Sequence, residues 1–137
     1  LDWSRADRAL FDFVRRLLAL RRAHPHLRLN RWLSEARHTD GHREIEWLRS
    51  DGQPMTVADW HDEMRHSLAV TGGNATARLL CLFNAEAGAI EFTLPPGRWV
   101  LQVDSADPAR DSAVRVDGRC LVQQLSAVLL ALEPASA

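Results

Sequence analysis

The sequence predicts a mainly β protein, an antiparallel β-sandwich with a Greek-key element, preceded by one N-terminal α-helix. Three observations carry that prediction. Apolar residues recur at helical spacing from Leu10 to Leu20 and stop at His24-Pro25. Beyond Leu27 the apolar period changes to two and stays there almost to the end. Hairpin-type turn signals separate these short runs, with no helical run between them, which favours antiparallel pairing over a parallel sheet.

Ser4 followed by Asp7 reads as a variant capping box for the helix. Trp3, Ala6, Ala9, Leu10, Phe11, Phe13, Val14, Leu17, Leu18 and Leu20 fill an arc of roughly 200 degrees, about twice the stripe of a surface helix. Such a helix wants to be wedged between two bodies, and only one can be built from the remaining sequence. Arg21 falls on the apolar side near the C-terminal end, favourable against the helix dipole.

Leu27, Leu29 and Trp32 suggest a first strand, followed by a polar, loop-like stretch from Ser34 to His42. Further strands are expected over 43–49, 67–71, 78–84, 89–94, 98–104, 113–116, 120–124 and 127–133. Asp51-Gly52, Gly72-Gly73-Asn74, Gly88, Pro95-Pro96-Gly97 and Asp117-Gly118 supply turns between them. Leu79 to Phe83 is apolar without alternation and reads as a central strand covered on both faces, whereas Ile90, Phe92 and Leu94 alternate with Glu91 and Thr93 and predict a wet face. The joint of the chain is Ile45 to Trp60. There a strand ends in a tight turn, Thr56 caps a single helical turn with Asp59, and Trp47 and Trp60 pack an irregular excursion. Asp104 to Asp111 reads as a mobile surface loop.

A chain of 137 residues is the size of one compact domain and needs neither disulfide nor metal to hold it. The formal net charge of −1 excludes the electrostatic footprint of a nucleic-acid or anionic-membrane binder. All 17 basic residues are arginine, and they are scattered. Two cysteines, Cys81 and Cys120, lie in apolar runs as small hydrophobes, and with no signal peptide or spanning apolar stretch the expected setting is cytoplasmic. Leu1 in place of an initiator methionine gives the look of an excised piece.

Catalytic chemistry is not visible in these residues. Sugar hydrolysis needs two carboxylates at a controlled separation on a rigid floor, and Asp59, Asp62 and Glu63 lie in an irregular segment where solvated acids are the ordinary outcome. His38, His42, His61 and His66 lack the spacing of a zinc site, neither Ser67 nor Ser126 sits in a nucleophile elbow, and no glycine-rich loop precedes a helix. No metal and no cofactor are expected. The candidates for holding a ligand are Trp32, Trp60 and Trp99, because an indole can lie against the apolar face of a pyranose; the simpler reading of each is core packing.

The stretch FVRRLLALRRAHPHLRLNRWL resembles the last barrel helix and exit of glycoside hydrolase family thirteen enzymes. IEWLRSDGQPMTVADW followed by RHSLAV resembles the start of the C-terminal domain in the isoamylase and bacterial glycogen-debranching branch of that family. RLLCLFNAEAGAIEFTLPPGRWVLQVD is similar to the middle strands of that domain, with Asn84, Leu94, Pro95 and Trp99 at the matching positions. One departure is Gln124-Leu125-Ser126, where the family often has an arginine directly before the serine.

The resemblance implies a parent enzyme that hydrolyses α-1,6 branch points of glycogen or limit dextrin through two carboxylates on barrel strands. Those strands precede this chain, so no catalytic residue carries over, and the chain alone is expected to be inactive. It divides the chain into residues 1–27, the last helix of the upstream barrel, and residues 28–137, the sandwich. The implied partner is the upstream barrel of the same polypeptide. Glycogen or a maltooligosaccharide is a further candidate partner, and the bare helix invites self-association. Two rival readings stand beside a supporting domain: a glucan-binding module, and the terminal domain of a trehalose-forming or branching relative.

Overall fold

A computed structural model of the chain describes residues 7–30, 32–34, 37, 39, 41, 43–74, 77–109 and 113–134. The chain forms two units, Leu1–Trp32 and Leu33–Ala137.

The first unit is built on α1 (Arg8–Ala23), whose N-cap is Asp7: its carboxylate accepts from the Leu10 N–H at 3.1 Å. Asp7 is thus the cap itself and not the third residue of a box; Ser4 lies outside the described residues. His24, extended as a residue before proline must be, ends the helix. No residue of α1 is buried, and Leu10, Phe11, Val14, Leu17 and Leu18 are exposed along it. The strand expected around Leu27 and Leu29 is absent. Pro25 instead opens a 3-10 helix (Pro25–Arg28), since its fixed φ starts a helical turn and Leu27 donates back to the His24 carbonyl.

The second unit holds β1 (Ile45–Leu48), α2 (Val57–Trp60), β2 (Ser67–Gly73), β3 (Arg78–Asn84), β4 (Ile90–Thr93), β5 (Trp99–Asp104), β6 (Arg115–Val116), β7 (Arg119–Val122) and β8 (Ser126–Leu132). All pairings are antiparallel, in a six-stranded sheet ordered β1-β2-β3-β8-β5-β6 and a two-stranded sheet of β4 and β7. β8 enters between β3 and β5 from the far end of the chain, which is the Greek-key feature. The fold is the mainly β antiparallel sandwich expected, and its larger sheet does not close.

Alternation decides the core. Leu48, Ala69, Leu80, Leu82, Leu101, Val128 and Leu130 point from the larger sheet onto Phe92, Cys120 and Val122 of the smaller one. Outside, the smaller sheet carries Glu91, Thr93 and Arg119 with an exposed Leu121 among them, and Arg119 and Glu91 form an ion pair of 2.6 Å. β3 is central, but the expected cover on its second face is incomplete: Leu79 is buried, Cys81 half-buried and Phe83 exposed. Gly73, at φ +116, could not carry a side chain, because a Cβ there would clash with the Ala77 carbonyl oxygen. The loop expected from Asp104 starts as part of the sheet: Asp104 ends β5, and Ser105 both donates to Ala127 through its N–H and accepts from it through its hydroxyl.

Candidate functional site

The joint between β1 and β2 concentrates the charged and aromatic side chains. β1 ends in the turn at Asp51-Gly52, where Gly52 takes φ +83 and donates to the Arg49 carbonyl at 3.0 Å. The Asp51 carboxylate accepts the Gln53 N–H at 3.0 Å and a two-pronged bond from Arg49, at 3.1 and 2.7 Å. The turn is tied to the smaller sheet by the Thr93 N–H, which donates to the Ser50 carbonyl at 2.8 Å.

Thr56 then caps α2 with a full capping box: the Asp59 N–H donates to the Thr56 hydroxyl, and the Thr56 N–H donates to the Asp59 carboxylate at 2.8 Å. Asp59 also takes the Thr56 hydroxyl at 2.7 Å and the Arg65 guanidinium at 2.9 Å, with Arg49 at 3.7 Å. These donors hold the Asp59 carboxyl below its usual range, the Thr56 hydroxyl first and then the Thr56 N–H, with Arg65 and Arg49 adding to them. Asp51 is lowered likewise, chiefly by Arg49 and then by the Gln53 N–H. A carboxylate so engaged is a fastener: it is poorly basic and has few lone pairs left for a substrate proton.

The neighbouring groups are also occupied locally. Asp62 accepts the Met64 N–H at 3.0 Å, and His61 Nδ1 lies 2.7 Å from the Val57 carbonyl. Among the described residues no three His, Cys, Asp or Glu side chains stand together as metal ligands; His38 and His42 lie outside those residues. Cys81 and Cys120 are thiols on different sheets, and burial pushes the Cys81 thiol up.

The three candidate tryptophans have three different settings. Trp99 is 1% exposed and its Nε1–H donates to the Pro95 carbonyl at 2.8 Å, so it locks the Pro95-Pro96-Gly97 turn and leaves no ring face for a pyranose. Trp32 is 95% exposed and belongs to the first unit. Trp60 is 51% exposed and meets Trp47 edge to face, with ring centroids 5.5 Å apart and planes at 76°. Trp47, which the sequence sets beside Trp60 as packing for the excursion, lies on β1. Its partner on the sheet is Val70, so its ring continues the outer face of the larger sheet.

A family model described as the glycogen debranching enzyme C-terminal domain matches residues 39–118, which run from ahead of β1 to the turn after β6. The chain is 38% identical to a glycogen debranching enzyme of Pectobacterium carotovorum over 99 residues, covering 72% of this chain and 14% of that protein. It is 33% identical over 99 residues to a glycogen debranching enzyme of Erwinia tasmaniensis, with the same coverage of 72% and 14%. A glycogen operon protein GlgX homolog of Haemophilus influenzae is 32% identical over 103 residues, 75% of this chain and 14% of that protein. The chain therefore spans about 14% of the length of the curated relatives it matches.

Proposed function

Given that the chain belongs to the family of glycogen debranching enzyme C-terminal domains, we propose that it is the non-catalytic supporting end of an enzyme that hydrolyses α-1,6 branch linkages in glycogen or limit dextrin. In this reading residues 1–27 are the last helix of the preceding catalytic barrel and residues 28–137 are the sandwich that braces it. The parent works in the cytoplasm, where glycogen is held; among the described residues no helix is long and apolar enough to cross a membrane. The observation that carries the reading is α1, whose apolar residues Leu10, Phe11, Val14, Leu17 and Leu18 stand in water. A 16-residue helix with that much apolar surface is stable when other parts of the polypeptide cover it. The chain alone is inactive in this reading, since the carboxylates that come together at the joint are bound to arginines and backbone N–H groups.

One series tests it. The chain, the parent enzyme, and the parent with Leu17→Asp are each melted and assayed for reducing ends released from a branched glucan. The chain releases none. In the parent, Leu17→Asp lowers stability by roughly 2–4 kcal/mol, from lost apolar burial and a carboxylate taken out of water. An unchanged melting temperature for that variant, or turnover by the chain alone, overturns the reading.

A further inference from the structure

The dipeptide Asp-Gly occurs at 51–52 and at 117–118, each time in a tight turn with its glycine at positive φ, +83 and +66. At 40–41 it occurs again, with its aspartate outside the described residues. Such a bond carries its own reactive pair. The glycine nitrogen can close a five-membered ring on the aspartyl Cγ, and glycine, lacking a Cβ, lets the backbone turn far enough to bring the two together. Ring closure needs a carboxyl free to swing and an N–H that nothing holds.

The structure separates the two turns. At 51–52 both groups are held. The Asp51 carboxylate accepts from Arg49 at 3.1 and 2.7 Å and from the Gln53 N–H at 3.0 Å, while the Gly52 N–H donates to the Arg49 carbonyl at 3.0 Å. Arg49 also keeps the Asp51 carboxyl ionised, below its usual range, and a carboxylate is a poor target for a nucleophile. At 117–118 neither group is held: among the described residues the Asp117 carboxylate and the Gly118 N–H have no hydrogen-bond partner. Both residues are exposed, and nothing stands within 4 Å of where a Cβ on Gly118 would lie. The Arg119 N–H donates across Gly118 to the Asp117 carbonyl at 2.6 Å, a three-residue turn whose central φ of +66 has the sign of the rare, strained γ-turn.

We propose that Asp117-Gly118 is a site of spontaneous covalent modification, at which Asp117 converts to isoaspartate while Asp51 is spared. The Gly118 nitrogen bonds to the Asp117 Cγ and gives up its proton, and one side-chain oxygen leaves as water, closing a succinimide. Water then reopens the ring. Breaking the bond between nitrogen and Cγ restores aspartate; breaking the bond between nitrogen and the former backbone carbonyl carbon leaves the main chain running through Cβ and Cγ. The water expelled is returned, so the net change is an isomerisation that needs no other reactant. Its product has one extra atom in the main chain where the chain leaves β6 of the larger sheet for β7 of the smaller. There the Gly118 carbonyl accepts the Leu94 N–H at 2.8 Å, next to the β4–β7 ladder, and the lengthened turn pulls that contact out of register.

The test follows the purified chain in warm neutral buffer over weeks, folded and in guanidinium chloride. Trypsin releases the two turns in separate peptides, 50–65 and 116–119, and their isoaspartyl forms are resolved by chromatography and identified with an isoaspartyl methyltransferase and a labelled methyl donor. In the folded chain isoaspartate is expected to accumulate at least about tenfold faster in 116–119, because 51–52 must first open locally. In denaturant the two rates converge, since the same dipeptide then reacts without its turn. Asp117→Glu, which would need a six-membered ring, abolishes the product in 116–119 and leaves 50–65 unchanged. The isomerised fraction is expected to unfold at lower urea than the unmodified chain. Equal or faster accumulation in 50–65 of the folded chain overturns the proposal. So does the absence of product in 116–119 over a time in which the denatured chain forms it. A tenfold difference that persists in denaturant overturns it as well, because it would belong to the neighbouring residues and not to the fold.

Discussion

Asn84 offers the sharpest test of how the two sheets are held together. It ends β3 with a buried side chain, and its Nδ2 lies 2.9 Å from the Gly88 carbonyl, 3.1 Å from that of Val122 and 3.0 Å from that of Gln123. Its Oδ1 accepts the Glu86 N–H at 2.9 Å. One amide thus joins the end of a strand in the larger sheet to the exit of β7 in the smaller one. Asn84→Ala removes these bonds together. At Gly88 and Gln123, which are exposed, water takes over, and the buried Val122 carbonyl keeps its place opposite Ile90 in the β4–β7 ladder, so each bond costs about 1 kcal/mol net. With partial compensation the loss is about 3 kcal/mol. At this chain size that corresponds to a fall of roughly 10 °C in Tm. The assay is urea unfolding of the purified chain followed by tryptophan emission, with the m-value checked for constancy. Asn84→Asp serves as the control of equal shape: an acceptor facing three carbonyls destabilises at least as much at neutral pH and recovers in acid, once the carboxyl can donate. A loss below about 1 kcal/mol for Asn84→Ala at constant m would refute the assignment of the inter-sheet tie to this side chain.

Two further outcomes follow from the joint and from the last turn. Asp59 has a folded pKa below its ordinary 3.8, so its contribution to stability is present above about pH 4 and is lost as pH falls further. Asp59→Asn should therefore flatten the acid limb of the stability curve below about pH 4, read by tryptophan emission as Trp60 leaves Trp47; an unaltered limb contradicts the fastener role. Leu125 sits at φ +50 in the turn before β8 and is 76% exposed, so it carries left-handed strain with little burial to offset it. Leu125→Gly is expected to stabilise the chain by about 0.5 kcal/mol in the same urea assay, and a loss above about 1 kcal/mol would show that the side chain packs after all.

Much of the architecture was legible because it depends on local chemistry. The period of the apolar residues located every strand of the second unit to within a few positions, and β3 matched over its whole length. Gly52 stands at a positive φ where Asp51-Gly52 announced a turn, and the Thr56–Asp59 box formed as spelled. The error at Pro25–Arg28 is instructive: Leu27 and Leu29 carry the period of a strand, but a strand needs a partner to pair with, and the proline had already set a helical turn. The ligand candidates were the least legible. Trp99 opens a strand and Trp60 closes a helical turn, and one is buried and the other half in water; the residue type that named both as candidates does not separate them.

The sequence by itself therefore determined where the strands of the second unit lie and where they turn, because these follow from residue type and short spacing, while the family was reached through likeness to known proteins. For β2, β3 and β8, only the tertiary structure decided which face is covered and which is left open. The placement of β8 between β3 and β5, and of β4 and β7 over one face alone, brings Cys81, Phe83 and Trp47 onto the same uncovered surface. Where neither face of a strand carries charge, as in β2 and β8, alternation marks two faces but does not say which lies inward. That choice depends on pairings between residues dozens of positions apart, whose free energy no local segment contains.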